Sequence, residues 1–141
     1  MVTLGGIDSN GDGVRDDIER YIALTYPQSA RTRAALTQVA LALQSEVIGA
    51  STQPLAISDA LAWSYATDCL DYVTATGDAD VSGLRTSMTI ANALRTVALN
   101  TPSRAQAYFQ ASGQIGALTY SRPDFAGLAS RCAVNPSSLP N

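Results

Sequence analysis

Histidine and lysine are both absent from this chain, and the two absences together remove several chemistries. Ser-His-Asp and Cys-His catalysis need an imidazole base, Ser-Lys and Schiff-base mechanisms need an amine, and zinc or haem sites usually draw on histidine. What remains is chemistry built on carboxylates, tyrosine, bare cysteine or calcium. Aromatic residues are scarce as well, at 6% of the chain against 46% hydrophobic residues. Alanine, leucine and threonine supply most of the bulk, a composition that favours closely packed helices over a sheet and predicts an all-α protein.

A basic face is also missing. Nine arginines oppose twelve carboxylates, for a formal charge of −3, and the arginines are scattered apart from Arg31 and Arg33. Nucleic-acid binding depends on a basic surface that releases counterions, so no nucleic-acid partner is expected. No membrane span is expected either. The longest uncharged stretch, Ala105 to Ser121, is broken by Gln106, Gln110, Ser112, Gly113, Gln114 and Gly116, and a spanning helix needs about 20 predominantly apolar residues. The 141 residues suit one soluble helical domain, 1–141, which at this length buries roughly 70% of its unfolded surface and needs no metal to form a core.

Two cysteines are present, Cys69 and Cys132. In a small domain such a pair suggests a bridge and an oxidising compartment, the alternative being two unrelated buried thiols. The opening Met-Val-Thr-Leu-Gly-Gly has neither a charged nor an apolar targeting region. A periplasmic or extracellular location is therefore expected on the cysteines and on the loop described next.

Residues 8–19 read Asp8-Ser9-Asn10-Gly11-Asp12-Gly13-Val14-Arg15-Asp16-Asp17-Ile18-Glu19, which matches D-x-[DN]-x-[DN]-G-x5-E at every required place. The spacing has a physical reason. Calcium takes six to eight hard oxygens, so the chain must wrap tightly enough for the first, third and fifth positions to point inward together. Gly13 permits the wrap because it accepts positive φ. The expected ligands are Asp8, Asn10, Asp12, the Val14 carbonyl, Asp16 directly or through water, and Glu19, whose two oxygens favour calcium over magnesium. Without the cation, four carboxylates repel one another, and the following helix should start poorly. The plain alternative is an Asx-rich surface turn that binds nothing.

These twelve residues and the helix after them resemble the EF-hand family. Residues 1–7 contain Gly5-Gly6 and are too few for an incoming helix, so the likeness is to a loop-helix half-motif of the dockerin kind, without its second repeat. Family members usually carry an aliphatic residue at the eighth loop position, which pairs with a sister loop; here that position is Arg15. A solitary loop with a polar eighth position implies a structural calcium site suited to the high calcium outside the cytoplasm. The run from Gly6-Ile7-Asp8-Ser9-Asn10 through Arg20-Tyr21-Ile22 and Thr25-Tyr26-Pro27 also looks like the start of exported bacterial proteins with no assigned activity.

Past the loop, about five helices are predicted, forming a bundle. The first runs from Asp16 to Tyr26 and stops at Pro27. The second is capped by Ser29, buries Leu36, Val39, Ala40, Leu43 and Val47, and ends near Gly49. The third opens at Pro54 or Ser58, faces inward with Ile57, Leu61, Tyr65, Cys69 and Tyr72, and stops at Gly77. A turn at Gly77-Asp78-Ala79-Asp80 leads to a fourth with Val81, Leu84, Met88, Ala91, Leu94 and Ala98 inward. Thr101-Pro102 restarts a fifth, with Tyr108, Ser112, Ile115 and Thr119 on one face, which continues to Pro123. A short turn around Phe125 to Ala129 brings Cys132 back towards the third helix, and a flexible tail, 133–141, follows.

Weaker candidates are Asp68 and Asp71, three residues apart on the third helix. Their spacing could serve a carboxylate-dependent hydrolase, but a solvated helix face is the simpler expectation. Trp63, Tyr65 and Tyr72 could line a ligand pocket, with core packing the simpler expectation. The resulting reading is a non-enzymatic, exported calcium-binding module with a binding or interaction role towards a protein partner. The alternative is a periplasmic inhibitor or immunity protein against a secreted toxin, and the hydrolase is third.

Overall fold

The computed structural model describes residues 3–75 and 81–140, with the backbone alone for 81–85. The fold is all-α. Six helices pack together, α1 (Asp16–Thr25), α2 (Ala30–Gly49), α3 (Gln53–Thr74), α4 (Val81–Ala98), α5 (Pro102–Gln114) and the short α6 (Phe125–Leu128), followed by 3-10 turns at Ala129–Arg131 and Pro136–Ser138. Among the described residues there is no strand, and no helix is long and apolar enough to cross a membrane.

Local signals account for most helix ends. Asp16, Asp17 and Glu19 fill the first turn of α1, where carboxylates complement the unpaired N–H groups and the helix dipole. Ser29 caps α2 by accepting the Thr32 N–H at 3.1 Å, and Thr101 caps α5 by accepting the Arg104 N–H, with Pro102 just inside. The stripe read for α2 is buried in full. α2 and α3, joined by residues 50–52, form an antiparallel pair that makes the largest helix–helix contact; α4 and α5 lie against both, and α1 packs on α2. Val14, Ile18 and Ile22 thereby enter the same core as Leu36, Leu43, Leu70 and Leu94.

Three predicted faces are revised. On α3 only Cys69 of the expected stripe is fully buried; the buried positions are Ala56, Ala66, Asp68, Cys69, Leu70 and Asp71, and Tyr65 is exposed. The cause is that α3 is contacted by α2, α4, α5, α6 and the first 3-10 turn, so a single apolar stripe does not describe it. On α4, Ala91, Leu94 and Ala98 are buried as expected, but Met88 is exposed and Ser87 is buried beside it. The predicted stop at Gly77, the turn 77–80 and the side chains of Val81 and Leu84 lie outside the described residues. α5 ends at Gln114, well before Pro123, and Gly116 turns the chain at φ +68°. The helical face predicted to reach Thr119 therefore gives way to a non-helical segment, 115–124.

Cys69 and Cys132 are joined in a disulfide across 63 residues, a bond maintained where thiols are not kept reduced. Gln38 flanks it, donating to the Arg131 carbonyl at 2.8 Å and accepting the Ala133 N–H at 2.9 Å. The described tail residues, 133–140, lie against α2: Pro136 is buried and Arg31 donates to the Leu139 carbonyl at 2.9 Å. The long-range partners Arg31 and Gln38 hold it, and neither is visible from the composition of the tail itself.

Candidate metal centre

Residues 8–19 wrap around their own side chains. Asp8 accepts the N–H groups of Gly11 and Gly13 at 2.8 and 2.9 Å, one on each oxygen. Asn10 Oδ1 accepts the Asp12 N–H at 3.1 Å, and Asp12 Oδ1 accepts the Val14 N–H at 2.9 Å, a succession of Asx-type turns. Gly11 and Gly13 stand at φ +74° and +91°. At Gly13 space matters too, since a Cβ there would lie 2.9 Å from Leu41 of α2. The wrap is closed by the Asp16 N–H, which donates to the Ile7 carbonyl at 2.9 Å. The Val14 side chain is buried in the core, which anchors the main chain at the seventh loop position.

The remaining oxygens face a donor of the protein itself. The Asn10 side-chain NH2 group lies 3.0 Å from Glu19 Oε1 and 3.3 Å from Asp12 Oδ2. Asp16 has both oxygens on Ser9, at 2.7 Å from its N–H and 2.6 Å from its hydroxyl, contacts that hold the Asp16 carboxyl below the usual range. Among the described residues no three carboxylate or cysteine side chains stand close enough together to form a metal cage as they lie. The donor set nevertheless suits a hard cation. It comprises four carboxylates, one amide and one main-chain carbonyl, and Asn10 places the positive end of its amide dipole between two of those carboxylates, where a cation's charge would serve the same pair.

The loop is fastened to the bundle by an arginine read from sequence only as a missing aliphatic. Arg15 is 3% exposed. It forks onto Asp17 at 2.9 and 2.5 Å, donates to the Ala98 carbonyl at 2.7 Å and reaches Asn100 at 3.4 Å. Arg104 of α5, 4% exposed, shares Asn100 at 2.6 Å and ties down the segment before the loop through the Leu4 and Thr3 carbonyls at 3.1 and 3.0 Å. Gly6 threads between the Arg15 stem and the Arg104 guanidinium at φ +68°, where a Cβ would lie 2.7 Å from Arg15 Cδ and 2.9 Å from Arg104 Nη2. Arg15, Asp16, Asn100 and Arg104 also line a cleft of about 720 Å³ beside the loop.

Asp68 and Asp71 are not on a solvated face. They are 5% and 6% exposed and are occupied by partners from the other end of the chain. Tyr120 donates its hydroxyl to Asp68, Arg122 bridges both carboxylates, and the Ser87 hydroxyl donates to Asp71 at 3.2 Å. Burial and the bond to Asp68 push the Tyr120 hydroxyl up to about 12. This arrangement spends the pair on joining segment 115–124 to α3 and lends no support to hydrolysis there. The aromatic residues of α3 are likewise engaged within the fold: Tyr65 packs on Tyr120 with Arg131 above its ring, Tyr72 packs on Phe125, and Arg95 lies over Trp63.

Glu46 of α2 carries a signal absent from the sequence. It is 7% exposed, its Oε2 has no hydrogen-bond partner among the described residues, and burial, with Asp59 adding to it against the opposing charge of Arg95, raises its carboxyl to about 7. Arg95 turns instead to Asn92 at 2.7 Å and the Tyr108 hydroxyl at 3.2 Å. In comparisons with known proteins, no family, no curated protein and no solved structure matches this chain.

Proposed function

We propose that this chain is an exported helical module that binds one calcium ion in loop 8–19, through Asp8, Asn10, Asp12, the Val14 carbonyl, Asp16 and Glu19, and acts by binding a protein partner without catalysis. The observation that carries the calcium reading is a loop whose turn is already formed by Gly11 and Gly13, with the Glu19 and Asp12 carboxylates both at the Asn10 side chain, whose amide would turn its oxygen towards the ion. A bound calcium supplies two positive charges that offset four carboxylates. Asn10, Asp12 and Glu19 orient towards one another, and Asp8 holds the turn through two N–H groups.

The EF-hand likeness fits a structural site better than a sensor. Arg15 occupies the eighth loop position and docks on the end of α4, so a helix terminus provides the support that a sister loop provides in paired EF-hands. The periplasmic or extracellular location is supported by the disulfide between Cys69 and Cys132. The test is titration calorimetry of the whole chain with calcium, alongside Glu19→Gln. One saturable site, abolished in the variant, is the expected result. No heat at millimolar calcium, with a melting temperature unchanged by a chelator, would overturn the reading.

A further inference from the structure

The cleft beside the loop has a second property, independent of calcium. Its volume of about 720 Å³ falls within the range of small-molecule pockets, and its lining residues are mostly polar or charged. Ile7, 73% exposed, stands at this cleft as a large aliphatic side chain. The charged lining is mixed, with Arg15, Arg20 and Arg104 standing beside Asp16 and Asp17. Arg15 is neutralised by its fork onto Asp17. Arg104 is not: among the described residues it forms no ion pair, and its three hydrogen bonds go to neutral oxygens of Thr3, Leu4 and Asn100. A guanidinium has five N–H donors, so one N–H on each of its two Nη atoms remains. A buried cation paired only with neutral acceptors bears a desolvation cost that an anion would offset.

We propose that this cleft binds a small organic anion, an apolar body carrying one carboxylate or sulfonate head, with the head on the Arg104 guanidinium and the body against Ile7. Arg20 adds long-range attraction from the exposed edge. The fork of Arg104, already oriented by three hydrogen bonds, is preorganised for the two oxygens of such a head.

The test is calorimetry of the full chain in millimolar calcium, so that the loop wall is ordered if it needs the ion, with benzoate, benzenesulfonate and neutral benzyl alcohol as probes. We expect saturable binding of at least one of the anions with a Kd near or below about 1 mM and much weaker binding of the alcohol; the two anions distinguish the head groups. Arg104→Lys keeps the charge but loses the fork and should weaken binding about tenfold. If that variant does not fold, Arg20→Gln takes its place, exposed and outside the clamp, and should weaken binding about threefold through lost attraction. The proposal is overturned if neither anion binds, if the alcohol binds as well as the anions, or if the folded variant binds with unchanged affinity.

Discussion

Arg15 and Ala98 are 83 residues apart, yet the guanidinium of the first donates to the main-chain carbonyl of the second at 2.7 Å. Ala98 is the last residue of α4, where carbonyls lack intrahelical partners and the helix dipole favours a cation. One side chain thus satisfies a helix end and pins the candidate calcium loop to the bundle.

Replacing Arg15 with methionine keeps the hydrocarbon stem and removes that bond. The Ala98 carbonyl is left short of a partner in a buried place, so a loss of about 2–4 kcal/mol in urea denaturation is expected. Asp17→Asn should cost under about 1 kcal/mol, because the Asp17 side chain is 47% exposed and solvent screens the pair. Equal losses in the two variants would show that the Asp17 pair, and not the helix-end carbonyl, carries the docking.

Calcium should stabilise the fold by mass action. At free calcium about a hundred times its Kd the gain is roughly 2.7 kcal/mol, which for a chain of this size is a rise of several degrees in Tm. Glu19→Gln should melt at the same temperature with calcium as with chelator, whereas Arg33→Gln, remote from the loop, should retain the shift. A calcium-induced rise that survives Glu19→Gln would place the ion elsewhere.

Glu46 sets an opposite pH trend from the loop. Its folded-state value, about 7, lies above the ordinary 4.5, so the folded protein favours the neutral carboxyl. The associated stability is complete below about pH 4.5 and is lost as pH rises through about 7, by up to ~3 kcal/mol. Asp59 adds to the rise and Arg95 opposes it. Glu46→Gln should therefore be the more stable protein at pH 8, with the advantage shrinking towards pH 4.5. Asp16 and Asp17 are both held below their ordinary value, by Ser9 and Arg15 respectively, so their contribution is lost in acid. Subtracting the Glu46→Gln profile from that of the parent isolates the Glu46 effect, and a flat difference would contradict it.

The disulfide should matter more than any one of these contacts. Closing a loop of 63 residues stabilises a chain by roughly 4 kcal/mol in the loop-entropy treatment. The double variant Cys69→Ser, Cys132→Ser should lose about that much and release the tail from Gln38, detectable as faster proteolysis after Arg131. A loss below about 1 kcal/mol would mean that the packing of α6 and the tail already supplies the constraint.

Much of the fold is local and was legible. Ser29, Thr101-Pro102 and Pro27 mark helix ends through their own backbone chemistry, and the α2 stripe holds because one face of that helix meets the core. The α3 stripe fails because five elements surround that helix, so burial there follows neighbours and not periodicity. Asp68 and Asp71 look like surface residues until Tyr120 and Arg122 arrive from some 50 residues downstream. Likewise, the loop pattern marks Arg15 only as a missing aliphatic, and no feature of Arg104 in sequence separates it from the other arginines.

The sequence by itself determined the helical class, the capped starts of α2 and α5, and the dense set of oxygens at residues 8–19, because caps, breakers and a twelve-residue wrap are settled by neighbours a few residues away. Tertiary structure alone decided which charges are buried: Arg15 against Ala98, Arg104 across the opening segment, Glu46 on α2, Asp68 and Asp71 under Arg122. Burial of a charge depends on desolvation and on partners supplied by distant segments, and only the assembled packing brings those segments together.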